Sequence, residues 1–174
     1  MATWSELEQA DAGVALAARK LLMNCSSTWG IALLGTLRRD GSPRIAPLCV
    51  YILDGALFIT VESHKERDLR RDPRCSLHSY WGDGQDEFAI AGVASAALDR
   101  VRRERLVDLE PRLRHSPSIR EVEIAMAHSV VYKNFPRADM YAEVAVWRPG
   151  ATTRRWERAE PVPDEDLNPV TGRD

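Results

Sequence analysis

Apolar residues recur along this chain with two different periods, and each period marks a kind of element. Near the start, Leu7, Ala10, Val14, Ala18, Leu21 and Cys25 keep helical spacing behind Ser5-Glu-Leu-Glu8. That tetrapeptide reads as a capping box with Ser5 at the N-cap and Glu8 three residues on, so a helix is expected over 5–24. From Trp29 the pattern changes to short apolar runs at 29–37, 44–53, 56–61, 75–81 and 87–98, and later at 140–147 and 152–156. Runs of this length, rich in β-branched and aromatic residues and punctuated by Asp40-Gly41, Asp54-Gly55, Gly82-Asp-Gly84 and Pro149-Gly150, read as strands. Asp54-Gly55 is the strongest hairpin signal among them. Residues 65–71 read as a short helix with Leu69 inward, stopped by Pro73. Residues 99–113 read as a helix with Leu106, Leu109 and Leu113 on one stripe. Ser118-Ile-Arg-Glu121 reads as a second capping box, opening a helix through Ile119, Val122 and Met126.

The strands are not clean alternations. Leu33 and Leu34, Val50 and Ile52, Phe58 and Ile59, and Ala89 and Ile90 make both faces apolar. A sheet buried on both sides is either parallel or a closed barrel covered outside. The hairpin connections make it antiparallel, hence a barrel whose cover is helices or a second subunit. The fold class expected is mainly β with flanking helices (α+β). Its division is an N-terminal helix at 1–27, a barrel domain at 28–158 with a helical insert at 99–128, and a loose tail at 159–174. Pro161, Pro163, Pro169 and Asp164-Glu-Asp166 mark that tail.

Composition narrows the function classes. The 24 basic residues against 26 acidic ones give a formal net charge of −2, which argues against nonspecific nucleic-acid binding and against a polybasic membrane anchor. No apolar run approaches the roughly 20 residues of a membrane span, and Met1-Ala-Thr-Trp-Ser-Glu6 lacks the basic and apolar regions of a leader. Cys25, Cys49 and Cys75 are odd in number and form no Cys-x-x-Cys, as expected of reduced thiols in a cytoplasmic protein.

The candidate chemistry centres on Ser63-His64-Lys65. A hydroxyl, the N–H groups of a helix start and an ammonium can converge on an anion without a Gly-rich loop. Thr60 adds a hydroxyl three residues upstream, and Arg44 lies across the hairpin. Other constellations carry less. His78 follows Cys75 at an odd strand spacing, which points the two to opposite faces and argues against a shared metal; no metal site is assigned. Ser63-His64 lacks the Gly-x-Ser-x-Gly elbow of a nucleophile. Gly30-x4-Gly35-Thr36 lacks the Lys of a phosphate loop. Arg100-Val-Arg-Arg-Glu-Arg105 is read as a solvated helix face.

The order of these motifs carries a resemblance. Gly35-Thr36, Gly41-x-Pro43-Arg44-x-x-Pro47, Asp54-Gly55-x-Leu57-x-Ile59-Thr60-x-x-Ser63-x-Lys65 and Asp68-Leu69-x-x-Asp72-Pro73-Arg74-x-Ser76, then Gly92-x-Ala94 and Asp99, together resemble the pyridoxamine-5'-phosphate-oxidase-like flavin-binding split barrels. The likeness is close over about residues 29–100. It implies a six-stranded antiparallel split β-barrel, a homodimer, and FMN in grooves between the subunits. Carried over by position, Arg44, Ser63 and Lys65 hold the FMN phosphate, with His64 as a further cofactor contact. Ile45, Ala46 and Pro47 lie against the ring, and Thr60 and Val61 stand beside its polar edge. Cys49 stands where members that oxidise pyridoxamine phosphate carry a ring-contacting Lys. The chain closes Arg154-Arg-Trp156-Glu-Arg158 rather than with those members' Trp and Arg-Leu-x-Pro segment. The resemblance therefore implies a general FMN-dependent oxidoreductase acting on a small molecule. The alternatives are a reductase using the 8-hydroxy-5-deazaflavin coenzyme and a non-catalytic flavin or haem binder. No side chain is assigned as a general acid or base.

Overall fold

The computed structural model describes residues 1–81, 85–96, 98–134, 137 and 139–159. The Gly82-Asp-Gly84 turn and, beyond Ala159, the expected tail lie outside these. The sheet order is β3-β2-β1-β4-β5-β6-β7-β8, with β3 also paired to β6. The strands are β1 (Trp29–Leu37), β2 (Pro43–Leu53), β3 (Ala56–Val61), β4 (Arg74–Ser79), β5 (Glu87–Ala94), β6 (Ser118–Lys133), β7 (Tyr141–Trp147) and β8 (Arg154–Ala159). Six of them close into an antiparallel barrel and β7 and β8 extend it, as the both-faces-apolar pattern implies. Asp54 and Gly55 both take positive φ, 51° and 70°, the geometry a two-residue hairpin turn needs.

Strand β6 replaces the helix expected from Ser118-Ile-Arg-Glu121. The tetrapeptide fits a capping box, but its residues pair with β3, Ser118 opposite Val61 and Glu121 opposite Phe58. The helical reading arose because both faces of this strand are apolar: Ile119 packs outside the barrel and Val122 inside it, so two faces of a strand imitate one helical stripe. Ile124 pairs with Gly92 and Met126 with Ala91, leaving Ala125 extra, so the inward parity moves from Val122 and Ile124 to Ala127. Such a bulge bends the strand and re-aims the side chains beyond it. The helical insert is therefore only α4 (Arg100–Leu109), capped by Asp99, and a 3-10 turn at Pro111–His115. The helix stops before its stripe is complete: Leu106 and Leu113 are buried, and Leu109 is exposed.

The N-terminal helix is also two. α1 (Trp4–Ala10) is capped by Thr3, whose hydroxyl accepts the Glu6 N–H while Glu6 accepts the Thr3 N–H at 2.6 Å. The same S/T-x-x-E pattern thus occurs two residues earlier than Ser5-x-x-Glu8, and the earlier one buries Trp4 and Leu7. Glu8 instead accepts from the Trp4 indole at 2.6 Å and Arg19 at 2.9 Å. Asp11 then breaks the chain and caps α2 (Ala12–Leu22) through the Val14 N–H at 3.0 Å.

The barrel interior, with Leu34, Val50, Ile59, Leu77, Ile90 and Ile124, is continuous with Trp4, Leu7, Val14 and Leu21 of α1 and α2 and with Leu69 of α3 (Ser63–Arg71). A separate outer cluster of Tyr51, Leu53, Phe58 and Ile119 lies under Leu106 and Leu113. Between β3 and β7 on the free side of β6, Ala2 exchanges both backbone hydrogen bonds with Ile124, at 2.9 and 2.7 Å. No helix among the described residues is long and apolar enough to cross a membrane.

Candidate functional site

The barrel is split where β2 and β3 part. Their ladder runs from Leu53–Ala56 to Val50–Ile59 and stops, while β2 continues along β1 to Pro43. Continued in register, Cys49 would face Thr60 and Leu48 would face Val61. Instead these four residues line a cavity of about 320 Å³, with Glu62, Lys65, Arg112, His115, Ser116 and Pro117. The sequence supplies a reason. Ile52 donates to Thr28 on the β1 side, so by alternation the backbone groups of Ile45, Pro47 and Cys49 face the open edge. Pro47 has no N–H to donate there, so a ladder across it would lack a rung. Its carbonyl accepts instead from Lys65 Nζ at 3.1 Å.

Helix α3 stands beside this edge and is unusual at its start. No side chain caps it at Glu62, which leaves N–H groups of its first turn facing outward. Ser63 has φ 54°, a left-handed conformation that costs a non-glycine residue about 1 kcal/mol or more. Two ion-pair networks hold the helix there. Asp68 is buried and accepts from Thr36 Oγ1 at 3.3 Å, Arg44 Nε at 2.7 Å and Arg71 at 3.3 Å. Burial pushes its carboxyl up, but hydrogen bonds from Arg44 and Arg71 outweigh this and hold it below the ordinary range. Glu66 accepts from Arg120 Nε at 2.9 Å and Nη2 at 2.8 Å, and Arg120 is 4% exposed and also donates to Ser95 O. These Arg120 hydrogen bonds are the main reason the Glu66 carboxyl falls to about 2.

On the far side of α3 a second cavity, of about 710 Å³, is lined by Arg38, Arg39, Asp40, Arg44, His64, Arg67, Asp68 and Arg71. Five arginines face two aspartates in a chain whose net charge is −2. The arrangement suits an anion, which guanidinium forks can bind bidentately. The residues named from sequence are thus divided. Arg44 and His64 line the basic cavity, and His64 contacts Arg67. Thr60, Val61 and Lys65 line the smaller one. Ser63 lies between them at the start of α3, exposed. Ile45, Ala46 and Pro47 form the β2 segment beyond the ladder. Arg44 is drawn inward by Asp68, a partner the sequence reading did not give it. Arg112 was missed because it was read within the helix at 99–113, and His115 because no element was read between that helix and Ser118. Arg38, Arg67 and Arg71 were legible only as helix and turn charges. Cys75 is buried while His78 faces outward, as their odd spacing requires.

The model of the pyridoxamine 5'-phosphate oxidase family matches residues 27–130, from the approach to β1 to near the end of β6. The chain belongs to that family. No curated protein matches it. Among solved structures, a pyridoxamine 5'-phosphate oxidase-related, FMN binding protein from Nostoc punctiforme is 11% identical, with a TM-score of 0.59 over 88% of this chain and 97% of its own. PhzG from Burkholderia lata, solved with tetrahydrophenazine-1-carboxylic acid, is 14% identical, with a TM-score of 0.54 over 87% and 89%. A heme binding protein from Mycobacterium smegmatis is 20% identical, with a TM-score of 0.52 over 72% of this chain and 57% of its own. At these identities the likeness is one of fold: the split barrel of this FMN-binding family.

Proposed function

We propose that the chain is an FMN-dependent oxidoreductase acting on a small molecule, with the flavin ring in the split between β2 and β3 and its phosphate at the start of α3. The observation that carries this is the unpaired edge of β2. An edge strand carries unpaired N–H and C=O groups, and this one, broken by Pro47, directs those of Cys49 toward a cavity beside an uncapped helix. Such an edge offers donors and acceptors to the imide-like side of a flat heterocycle. Thr60 and Val61 wall the cavity opposite it. Ser63, Lys65 and the N–H groups of the first turn of α3 grip the phosphate from one side, and Arg44 and His64 from the other. When bound, the flavin supplies hydride or single-electron transfer. The side chains bind it, orient it and keep water from one of its faces, and none is required as a proton donor.

The other face is closed in this reading by a second copy of the chain. Ile31, Leu33 and Leu37 of β1 point outward beside Ile45 and Pro47 of β2, Leu33 opposite Pro47 and Gly35 opposite Ile45. Ile45 is 72% exposed. An apolar stripe of this kind on a barrel wall is suited to a subunit interface.

A second reading is favoured by the basic cavity. Five arginines exceed what one phosphate needs, and they suit the 8-hydroxy-5-deazaflavin coenzyme, whose tail carries further negative charge. Mass spectrometry of the chromophore released from purified protein tests both. FMN is the expected mass; the deazaflavin mass would select the second reading. A Soret band and no flavin would overturn both in favour of a haem binder, as would bound flavin that no reductant bleaches in favour of a carrier.

A further inference from the structure

The small cavity has one wall formed by the 3-10 turn at Pro111–His115, which neither the motif series nor the reading above uses. Lys65, Arg112 and His115 are the cationic or titratable nitrogen side chains that line it, with Glu62 the one acid. Lys65 Nζ donates to the Pro47 carbonyl and is assigned above to the phosphate. Arg112 is placed differently. Its guanidinium carbon sits 4.5 Å above the Trp29 ring, a stacking that fixes a planar cation without using its N–H groups. Its nearest carboxylate, Glu110 Oε1, is 3.9 Å from Nε, outside hydrogen-bond range. Glu110 itself is tied to Thr28 Oγ1 at 3.0 Å, so the turn is anchored to the approach to β1. Across the cavity stand Leu48, Cys49, Thr60 and Val61, none of them a cation.

We propose that Arg112 is the cation this cavity presents to the pyrimidine end of the bound ring, and that it favours the reduced cofactor over the oxidised one. This rests on the flavin reading above. Taking up two electrons from a reductant and one proton at N5 turns the neutral oxidised ring into an anion, its charge shared by N1 and the C2 carbonyl. A guanidinium held beside that end meets negative charge in the reduced state alone. The phosphate grips at α3 meet the same charge in both states and cannot discriminate between them. An arginine that only braces the turn on Trp29 would also affect both states alike.

Anaerobic titration of the full chain with oxidised and with dithionite-reduced FMN, by absorbance and fluorescence, tests this in wild type, Arg112→Gln and Arg112→Lys. Arg112→Gln is expected to lose about tenfold more affinity for reduced than for oxidised FMN. For a two-electron couple that is a fall of about 30 mV in the bound midpoint potential. Arg112→Lys, which keeps the charge, is expected to retain most of the wild-type preference even where loss of stacking lowers its thermal midpoint. Equal losses in both redox states for Arg112→Gln, or a preference lost as fully in Arg112→Lys, overturn the assignment and leave the flavin reading standing. A wild-type protein that takes up no flavin in either state overturns that reading and this assignment with it.

Discussion

Lys65 shows how one side chain can be both legible and incomplete in a sequence. Its place two residues after Ser63 marks it as an anion ligand, yet in the fold its ammonium rests on the Pro47 carbonyl at 3.1 Å, within reach of both the β2 edge and the α3 start. If Lys65 also grips the FMN phosphate as proposed, replacing it removes a charge-assisted hydrogen bond worth roughly 1.5–3 kcal/mol. Lys65→Ala is therefore expected to weaken FMN binding by about 10- to 150-fold in a fluorescence titration; unchanged affinity would remove Lys65 from the phosphate site. Gly92 has a plainer role. A Cβ there would lie 2.2 Å from the Glu123 carbonyl oxygen, because the bulge at Ala125 brings β6 against it. Gly92→Ala should destabilise the fold by roughly 1–3 kcal/mol, the scale of overpacking, and lower the urea midpoint accordingly.

At the scale of elements, α3 is the piece on which the site depends, and its attachments join residues far apart in the chain. Asp68 reaches Thr36 and Arg44, and Glu66 reaches Arg120 on β6. The Glu66 carboxyl lies at about 2 against an ordinary 4.5. A lowered carboxyl stabilises the fold fully above its unfolded value and loses that contribution as pH falls through the folded one. The pair should therefore contribute roughly 3 kcal/mol above about pH 4.5 and progressively less toward pH 2. Glu66→Gln is expected to flatten the stability–pH curve in that window, followed by urea unfolding at stepped pH. It should also be less stable at neutral pH, since Arg120 is left buried without its anion. A curve as steep as wild type's would show that the pair does not govern acid stability. None of this was legible in the motifs, because Arg120 was read as part of a helix cap and its partner lies 54 residues away.

For the whole molecule, the decisive surface is the outer wall of β1 and β2. The pattern of apolar residues on both faces announced that the barrel would be covered. α4 and the 3-10 turn cover Tyr51, Leu53 and Phe58, and Ile45 stays exposed, the surface the proposed homodimer would bury. Charge placed there should be tolerated by the fold and not by association. If the proposed homodimer uses this stripe, wild type sediments as a dimer and Ile45→Glu as a monomer in analytical ultracentrifugation, with little change in thermal midpoint when free of flavin and with weaker flavin binding. A variant that remains dimeric would move the interface elsewhere.

The division between sequence and structure follows the range of the interactions. Local patterns determined the elements whose cause is local: the Asp54-Gly55 hairpin, the boundaries of β1 and β3, the Leu69 face of α3 and the ordered Arg44, Ser63, Lys65 series. They misread Ser5 and Ser118, because a capping box is a short pattern that can occur twice in register or within a strand. The outcome there was decided by burial of Trp4 and by pairing of Ser118 with Val61. The parting of β2 and β3, the two cavities beside α3 and the wall that carries Arg112 arose only in the tertiary structure. Each depends on contacts between segments distant in the chain, and hydrophobic periodicity records which face of an element is buried, not what it is buried against.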